Sequence, residues 1–176
     1  MVRALHAALT RAGHDDAVRG IILLGTGDAF SAGADLKSFL TDGPPLAQAL
    51  TRRELGALFL QIEAYRKPLV AAVNGDALGA GLGLVAACHL AVAAESARFG
   101  LPGVRLGIMP MTIMPVVFRT LPRKLGLELM LTGRLMDAPE AIESGFINAV
   151  SPAASLPAAA FRLALEASNR PLTIGV

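Results

Sequence analysis

Two glycine-punctuated turns carry the residues of this chain whose types and spacing suit chemistry. The first reads Ala29-Phe30-Ser31-Ala32-Gly33-Ala34-Asp35-Leu36-Lys37 and follows the apolar run Gly20-Ile21-Ile22-Leu23-Leu24. The second reads Asn74-Gly75-Asp76-Ala77-Leu78-Gly79-Ala80-Gly81 and follows Leu69-Val70-Ala71-Ala72-Val73. In both, a buried strand runs into a turn that opens a helix. The first amides of a helix have no acceptor within it, so two such turns side by side aim two N–H donors at one oxygen. Fixed donors of this kind stabilise charge developing on that oxygen without any reactive side chain, the arrangement called an oxyanion hole.

The side chains near the turns offer less. Asp76, in the second turn itself, is the carboxylate nearest the oxyanion hole in sequence and is the candidate acid, although a turn residue there also suits solvent. Asp35 suits the N-cap of a short helix through Leu40. Ser31 has no acid–base histidine near it, which argues against a nucleophile. His89 belongs to the residue type that titrates near neutral pH, but it falls at the far end, from Ala80, of the helix that the second turn opens. Glu128 sits in a helix and reads as structural. Met109, Met111 and Met114 suit either an adaptable apolar pocket or ordinary core. His6, His14 and His89 lack ligand spacing and Cys88-His89 alone is no site, so no metal is expected.

Alternating strands and helices must position these turns. Apolar residues at Val2, Leu5, Leu9 and Ala12 have helical spacing. Gly20–Leu24, Leu69–Val73 and Leu90–Ala93 read as buried strands, with Ile147–Val150 as a last one. Leu46–Tyr65 is the longest helix, with Leu50, Leu55, Leu58, Phe59 and Ile62 inward and Pro68 beyond its end. Ala80–Cys88, Val116–Leu121, Lys124–Leu131, Pro139–Ser144 and Ser155–Ser168 also read as helices, the fourth with Asp137 or Ala138 near its start. Arg98–Val104 reads as extended and Gly107–Pro115 as a turn-rich loop. The pattern predicts an α/β fold with at least partly parallel pairing. It shows neither a sequence-level repeat nor a linker that divides two domains.

Composition narrows the classes. The chain has 176 residues, of which 53% are hydrophobic, enough for one domain with a sizeable core. The net charge is only +2, and the basic residues are scattered, so no nucleic-acid surface is expected. One cysteine, Cys88, forms no internal disulfide, which fits a reducing, cytoplasmic setting. Met1-Val2-Arg3 opens an amphipathic stretch rather than a signal peptide. Ala77–Ala94 is uncharged apart from His89, as a membrane span would be. Glycines 79, 81 and 83, with Asn74 and Asp76 just before, favour a buried helix followed by a strand, so no membrane partner is expected.

The two turns resemble those of the crotonase superfamily, the enoyl-CoA hydratase/isomerase family. Five pieces occur in the family's order over nearly the whole chain: Ala29–Asp35, Lys67–Gly75, Ala77–Gly81, Phe99–Pro102 and Leu131–Arg134. The resemblance implies a spiral of ββα units, an acyl-CoA substrate of fatty-acid or related metabolism, and assembly as a homotrimer or homohexamer. It implies no separate cofactor, coenzyme A being part of the substrate. The shared chemistry is stabilisation of a thioester enolate by two backbone amides, which map onto Ala34 and Ala80. Ala32, Asp35, Leu36, Lys37, Gly79, Gly81, Gly83, Pro102 and Gly103 are the implied substrate-binding positions. Lys37, Arg66 and Lys67 are candidates for the coenzyme A phosphates.

Two departures bear on the reaction. Typical hydratases of the family carry glutamates where this chain has Gly83 and Gly103. Adding water to a double bond needs a base within about 3 Å of the attacking water, so weak hydratase activity is expected. Isomerisation, decarboxylation or thioester hydrolysis with another acid–base group is an alternative, as is non-catalytic acyl-CoA binding. A serine peptidase of the related ClpP-like fold is disfavoured, since no Ser-His-Asp arrangement is evident. Against relatives, residues 1–176 read as a core domain without the family's first strand pair and C-terminal helical segment.

Overall fold

The computed structural model describes residues 1–33 and 45–169, the side chains of 45–51 aside. The chain opens with helix α1 (Val2–His14), strand β1 (Ile21–Leu24) and strand β2 (Ala29–Ser31). Helix α2 (Pro45–Glu63) leads to β3 (Leu69–Val73), β4 (Asp76–Leu78) and helix α3 (Ala80–Ala87). Strands β5 (Leu90–Ala94) and β6 (Arg98–Gly100) follow, then a 3-10 turn (Pro102–Leu106), α4 (Met114–Thr120) and α5 (Arg123–Thr132). The chain ends through β7 (Leu135–Asp137), α6 (Ala138–Glu143), β8 (Ala149–Ser151) and α7 (Leu156–Ser168).

Successive strands alternate between two sheets. One has the order β1-β3-β5-β8, the other β2-β4-β6-β7. The first is parallel throughout, with Ile21 opposite Leu69, Val70 opposite Leu90 and Val92 opposite Ala149. In the second, β2, β4 and β6 are parallel and β7 runs antiparallel, with Phe99 opposite Met136. Each of the pairs β1-β2, β3-β4 and β5-β6 gives one strand to each sheet before the chain turns helical. This is the expected spiral of ββα units.

Strand periodicity divides the core. Alternate side chains of a strand point to opposite faces, and β3 is buried on both. Val70 and Ala72, with Val92 and Ala94 of β5, pack against Leu156, Ala160 and Ala164 of α7. Ala71, Val73, Ala91 and Ala93 face the larger cluster, which holds Leu82, Val85, Phe99 and Leu129. Burial on both faces explains why β3 and β5 are continuous apolar runs rather than alternating ones.

The turns between strands are packed backbone against backbone. The Asn74 side chain donates to the Gly27 carbonyl at 2.7 Å and accepts from the Gly25 amide at 3.1 Å. A Cβ on Gly75 would lie 2.0 Å from the Asp28 carbonyl oxygen, so only glycine fits there. The β1–β2 and β3–β4 connections are thereby locked together before the two glycine turns begin.

Several expectations are revised. Strands β2, β4 and β7 lie within segments read as turns or left unassigned. Arg98–Val104 is extended only to Gly100 and then winds into the 3-10 turn. Asp137, one of the two residues read near the start of α6, caps it, its Oδ1 accepting from the Glu140 amide at 2.9 Å. The expected helix from Asp35 lies outside the described residues. The uncharged run Ala77–Ala94 splits into the end of β4, the eight-residue α3 and β5. Among the described residues no helix is long and apolar enough to cross a membrane.

Candidate active site

Strands β2 and β4 are neighbours in one sheet, with Ser31 opposite Ala77, so their C-terminal ends deliver both glycine turns to one place. Gly33 and Gly79 both adopt positive φ, +94° and +55°, a conformation glycine takes without a steric cost. The turns touch. A Cβ on Gly33 would lie 2.7 Å from the Leu78 carbonyl oxygen, 3.2 Å from the Ala80 nitrogen and 3.5 Å from the Gly79 Cα. The first turn therefore passes directly against the amide that starts α3.

Gly79 is the N-cap of α3, and its own amide extends the β4–β6 ladder by donating to the Gly100 carbonyl at 2.9 Å. The first helical hydrogen bond runs from the Gly83 amide to the Gly79 carbonyl at 3.1 Å. The helix itself thus provides no acceptor for the Ala80, Gly81 and Leu82 amides. Of these, Ala80 belongs to the wall of a cavity of about 520 Å³.

That cavity gathers several of the expected residues. Ala32, Gly79, Ala80, Pro102 and Gly103 all line it. Gly81 and Gly83 are not among the residues that line it. A Cβ on Gly81 would lie 2.3 Å from the Ser31 carbonyl oxygen, so Gly81 lets α3 rest on β2. A Cβ on Gly83 would lie 2.7 Å from Ile113 Cγ2 and 2.8 Å from Phe59 Cζ. Both glycines serve close packing one layer beneath the cavity. Ala34, Asp35, Leu36 and Lys37 lie outside the described residues.

Asp76 is likewise not among the cavity-lining residues. It opens β4, at the opposite end of the strand from Gly79, and pairs with Arg98, which opens the neighbouring β6. The contact is bidentate, Nε to Oδ1 at 2.8 Å and Nη2 to Oδ2 at 2.7 Å, and this carboxylate raises the Arg98 pKa. The pair straps two parallel strands together.

Other candidates also resolve into structure. The His89 ring Nδ1 accepts from the Leu69 amide at 3.1 Å, while the His89 amide donates to the Leu69 carbonyl at 3.0 Å. Burial lowers the His89 pKa, in keeping with a neutral ring acting as acceptor. Lys67 donates to the Ala12 and Asp15 carbonyls at 2.8 and 2.6 Å, closing the end of α1. Glu128 pairs with Arg134, which also grips Glu140 in a bidentate contact. No group of three or more potential metal ligands occurs among the described residues.

The rest of the cavity wall was only partly readable in the sequence. Met109 and Met111 line it, whereas Met114 packs against the core. Leu101, Leu106, Ile108 and Ile113 extend the apolar wall, and Leu55 reaches it from α2 instead of pointing only into the core. Arg52, also on α2, is the one charged side chain among the described lining residues. Its signal was its position one turn before Leu55 and Gly56, on a helix read only for its inward face.

Comparison with known proteins agrees with this geometry. The family model for enoyl-CoA hydratase/isomerase matches residues 1–174. A Thermus thermophilus protein that carries a provisional enoyl-CoA hydratase name is 39% identical over 178 residues, covering 99% of this chain and 70% of its own length. Among solved structures, an enoyl-CoA hydratase/isomerase family protein from Silicibacter pomeroyi superimposes with a TM-score of 0.90 at 37% identity, covering 98% of this chain and 73% of that one. An enoyl-CoA hydratase from Mycobacterium smegmatis gives a TM-score of 0.92 at 30% identity, with coverage of 97% and 66%. The spiral is the crotonase fold, and the chain belongs to the enoyl-CoA hydratase/isomerase family.

Proposed function

We propose that this protein binds an acyl-CoA thioester with its carbonyl oxygen between the Ala34 and Ala80 amides, and stabilises the enolate that forms there. The observation that carries the reading is the contact of the two left-handed glycines. It sets the first turn against the Ala80 amide at the wall of a large, mainly apolar cavity. A thioester carbonyl gains negative charge when its α-carbon becomes nucleophilic. Fixed N–H dipoles in a water-poor site favour that state over the ground state, each donor typically contributing ~3 kcal/mol.

How the enolate is made and resolved separates the possible reactions. Hydration requires proton transfer to and from the protein, and the positions where relatives of this type hold glutamates carry Gly83 and Gly103. The described cavity wall includes no carboxylate. General acid–base catalysis contributes typically ~10²–10⁴-fold, so this chain hydrates crotonyl-CoA slowly while binding it. A second reading, favoured by the same two glycines, is a protein that holds acyl-CoA without turning it over; isomerisation, decarboxylation and thioester hydrolysis complete the alternatives. Assembly as a homotrimer or homohexamer belongs to this proposal.

The test pairs calorimetric binding of butyryl-CoA with turnover of crotonyl-CoA by the purified protein. Binding with hydration far below that of a glutamate-bearing hydratase supports the proposal. Failure to bind any acyl-CoA overturns it, and rapid hydration shows that another residue carries the protons.

A further inference from the structure

The amide that starts α3 is held from behind. Gly79, at φ +55°, sets its direction, and the Gly79 amide donates to the Gly100 carbonyl at 2.9 Å. Gly100 ends β6 and stands opposite Leu135 in the antiparallel β6–β7 pair. It is itself pressed from β7. A Cβ on Gly100 would lie 2.6 Å from Leu135 Cδ2 and 2.9 Å from the Arg134 carbonyl oxygen. Where Arg134 and Leu135 hold Gly100 thus sets the place of Gly79.

Arg134 is fixed in turn by the helices on either side of it. Its Nε donates to Glu128 of α5 at 2.7 Å, and its Nη1 and Nη2 donate to the two carboxylate oxygens of Glu140 of α6 at 2.8 and 2.6 Å. Its amide donates to Thr132 Oγ1 at 3.1 Å, and that hydroxyl donates to the Glu128 carbonyl at 2.7 Å. Both the main chain and the guanidinium of Arg134 are therefore tied down. An isolated exposed ion pair contributes little to stability, whereas a bidentate guanidinium shared between carboxylates fixes geometry.

We infer that Arg134 is a positioning residue for the Ala80 amide, acting through Gly100 and Gly79. The inference rests on the acyl-CoA reading above. Arg134 is not among the residues that line the cavity, so it directs the donor without touching the ligand. An oxyanion donor works by being aimed beforehand at the charged oxygen. A small displacement therefore weakens an enolate-like ligand more than a neutral thioester. Lysine does not replace this arginine, because a point charge lacks the planar fork that reaches Glu128 and both oxygens of Glu140 at once.

Acetoacetyl-CoA, the enolate-like ligand, and butyryl-CoA, the neutral thioester, are titrated by calorimetry into the parent and Arg134→Lys, well below both melting temperatures. The acetoacetyl-to-butyryl affinity ratio should fall about fivefold in the variant. Glu140→Gln keeps one acceptor oxygen for Arg134. It should move the ratio the same way by about twofold, and it decides the question if Arg134→Lys does not fold. Arg3→Lys, at the exposed Arg3–Glu54 pair between α1 and α2, should leave both affinities unchanged. Hydrogen exchange on the ligand-free protein gives a second readout: the Gly79 amide should exchange faster in Arg134→Lys while the amides of β3 do not change. An unchanged ratio in a folded variant, or an equal loss for both ligands, overturns the inference and leaves the proposed function intact. Uniformly faster exchange marks a merely structural role and also overturns it. Absence of binding of either ligand by the parent protein removes the proposed function itself, and the inference with it.

Discussion

Gly83 and Gly103, the two positions at which the family resemblance implies glutamates, are surrounded differently in the structure. Gly83 lies inside α3, and an added Cβ would collide with Phe59 and Ile113, both buried. Gly103 lies in the cavity wall, and its added Cβ would come no closer than 3.5 Å to the Ile108 carbonyl oxygen, an ordinary contact. The first position has been closed by packing. The second has room for a side chain. A side chain is therefore accommodated at position 103 and excluded by the core at position 83.

The sharpest way to break this contrast is Gly83→Glu. It drives a carboxylate into Phe59 and Ile113, and overpacking alone costs typically ~1–3 kcal/mol before the penalty for burying an unpaired charge. Chemical denaturation should show a larger destabilisation than substitution at Gly103, His89 or Ala80 produces. A variant as stable as the parent would mean that α3 has room beneath the cavity. Adding Gly83→Glu to Gly103→Glu should accordingly gain nothing over Gly103→Glu alone.

Gly103→Glu is the complement. It should fold with near-parental stability and raise crotonyl-CoA hydration at least tenfold, a fraction of the ~10²–10⁴ that acid–base groups supply. The steady-state rate decides it: no rise in a folded variant would show that residue 103 does not reach the substrate.

The legibility of the chain follows the same division between long and short features. The strands of the β1-β3-β5-β8 sheet were readable because burial on both faces makes β3 and β5 uninterrupted apolar runs. β2, β4 and β7 are three residues each, and two of them are embedded in the glycine turns, so turn composition masked them. Ala32, Gly79 and Ala80, which line the cavity, were legible because positive-φ glycines leave a mark in sequence. Arg52 and Leu55 were not, because helical spacing does not distinguish a core from a cavity wall. Asp76 is close to Gly79 in sequence, yet the length of β4 stands between them.

A smaller effect tests the structural reading of His89. Its Nδ1 accepts from the Leu69 amide, which a protonated ring cannot do, and burial holds its pKa below the ordinary 6.5. The unfolded chain therefore takes up the proton first as pH falls. The His89 contribution to stability is fully present above about pH 6.5 and is lost as pH drops through the folded-state pKa. His89→Gln, which does not titrate, should flatten this acid limb in urea-denaturation midpoints measured between pH 5 and 7.5. An unchanged limb would place the acid sensitivity elsewhere.

The central claim is that the Ala80 amide holds an enolate oxygen, and Ala80→Pro tests it most directly. Ala80 is the first residue of α3, where proline removes an N–H that the helix does not use and already has a helical φ. Fold and melting temperature should be nearly retained. Calorimetric titration with acetoacetyl-CoA, an enolate-like ligand, should show affinity reduced on the order of 10²-fold, the equivalent of one lost oxyanion donor. Equal affinity in a folded Ala80→Pro variant would contradict the account.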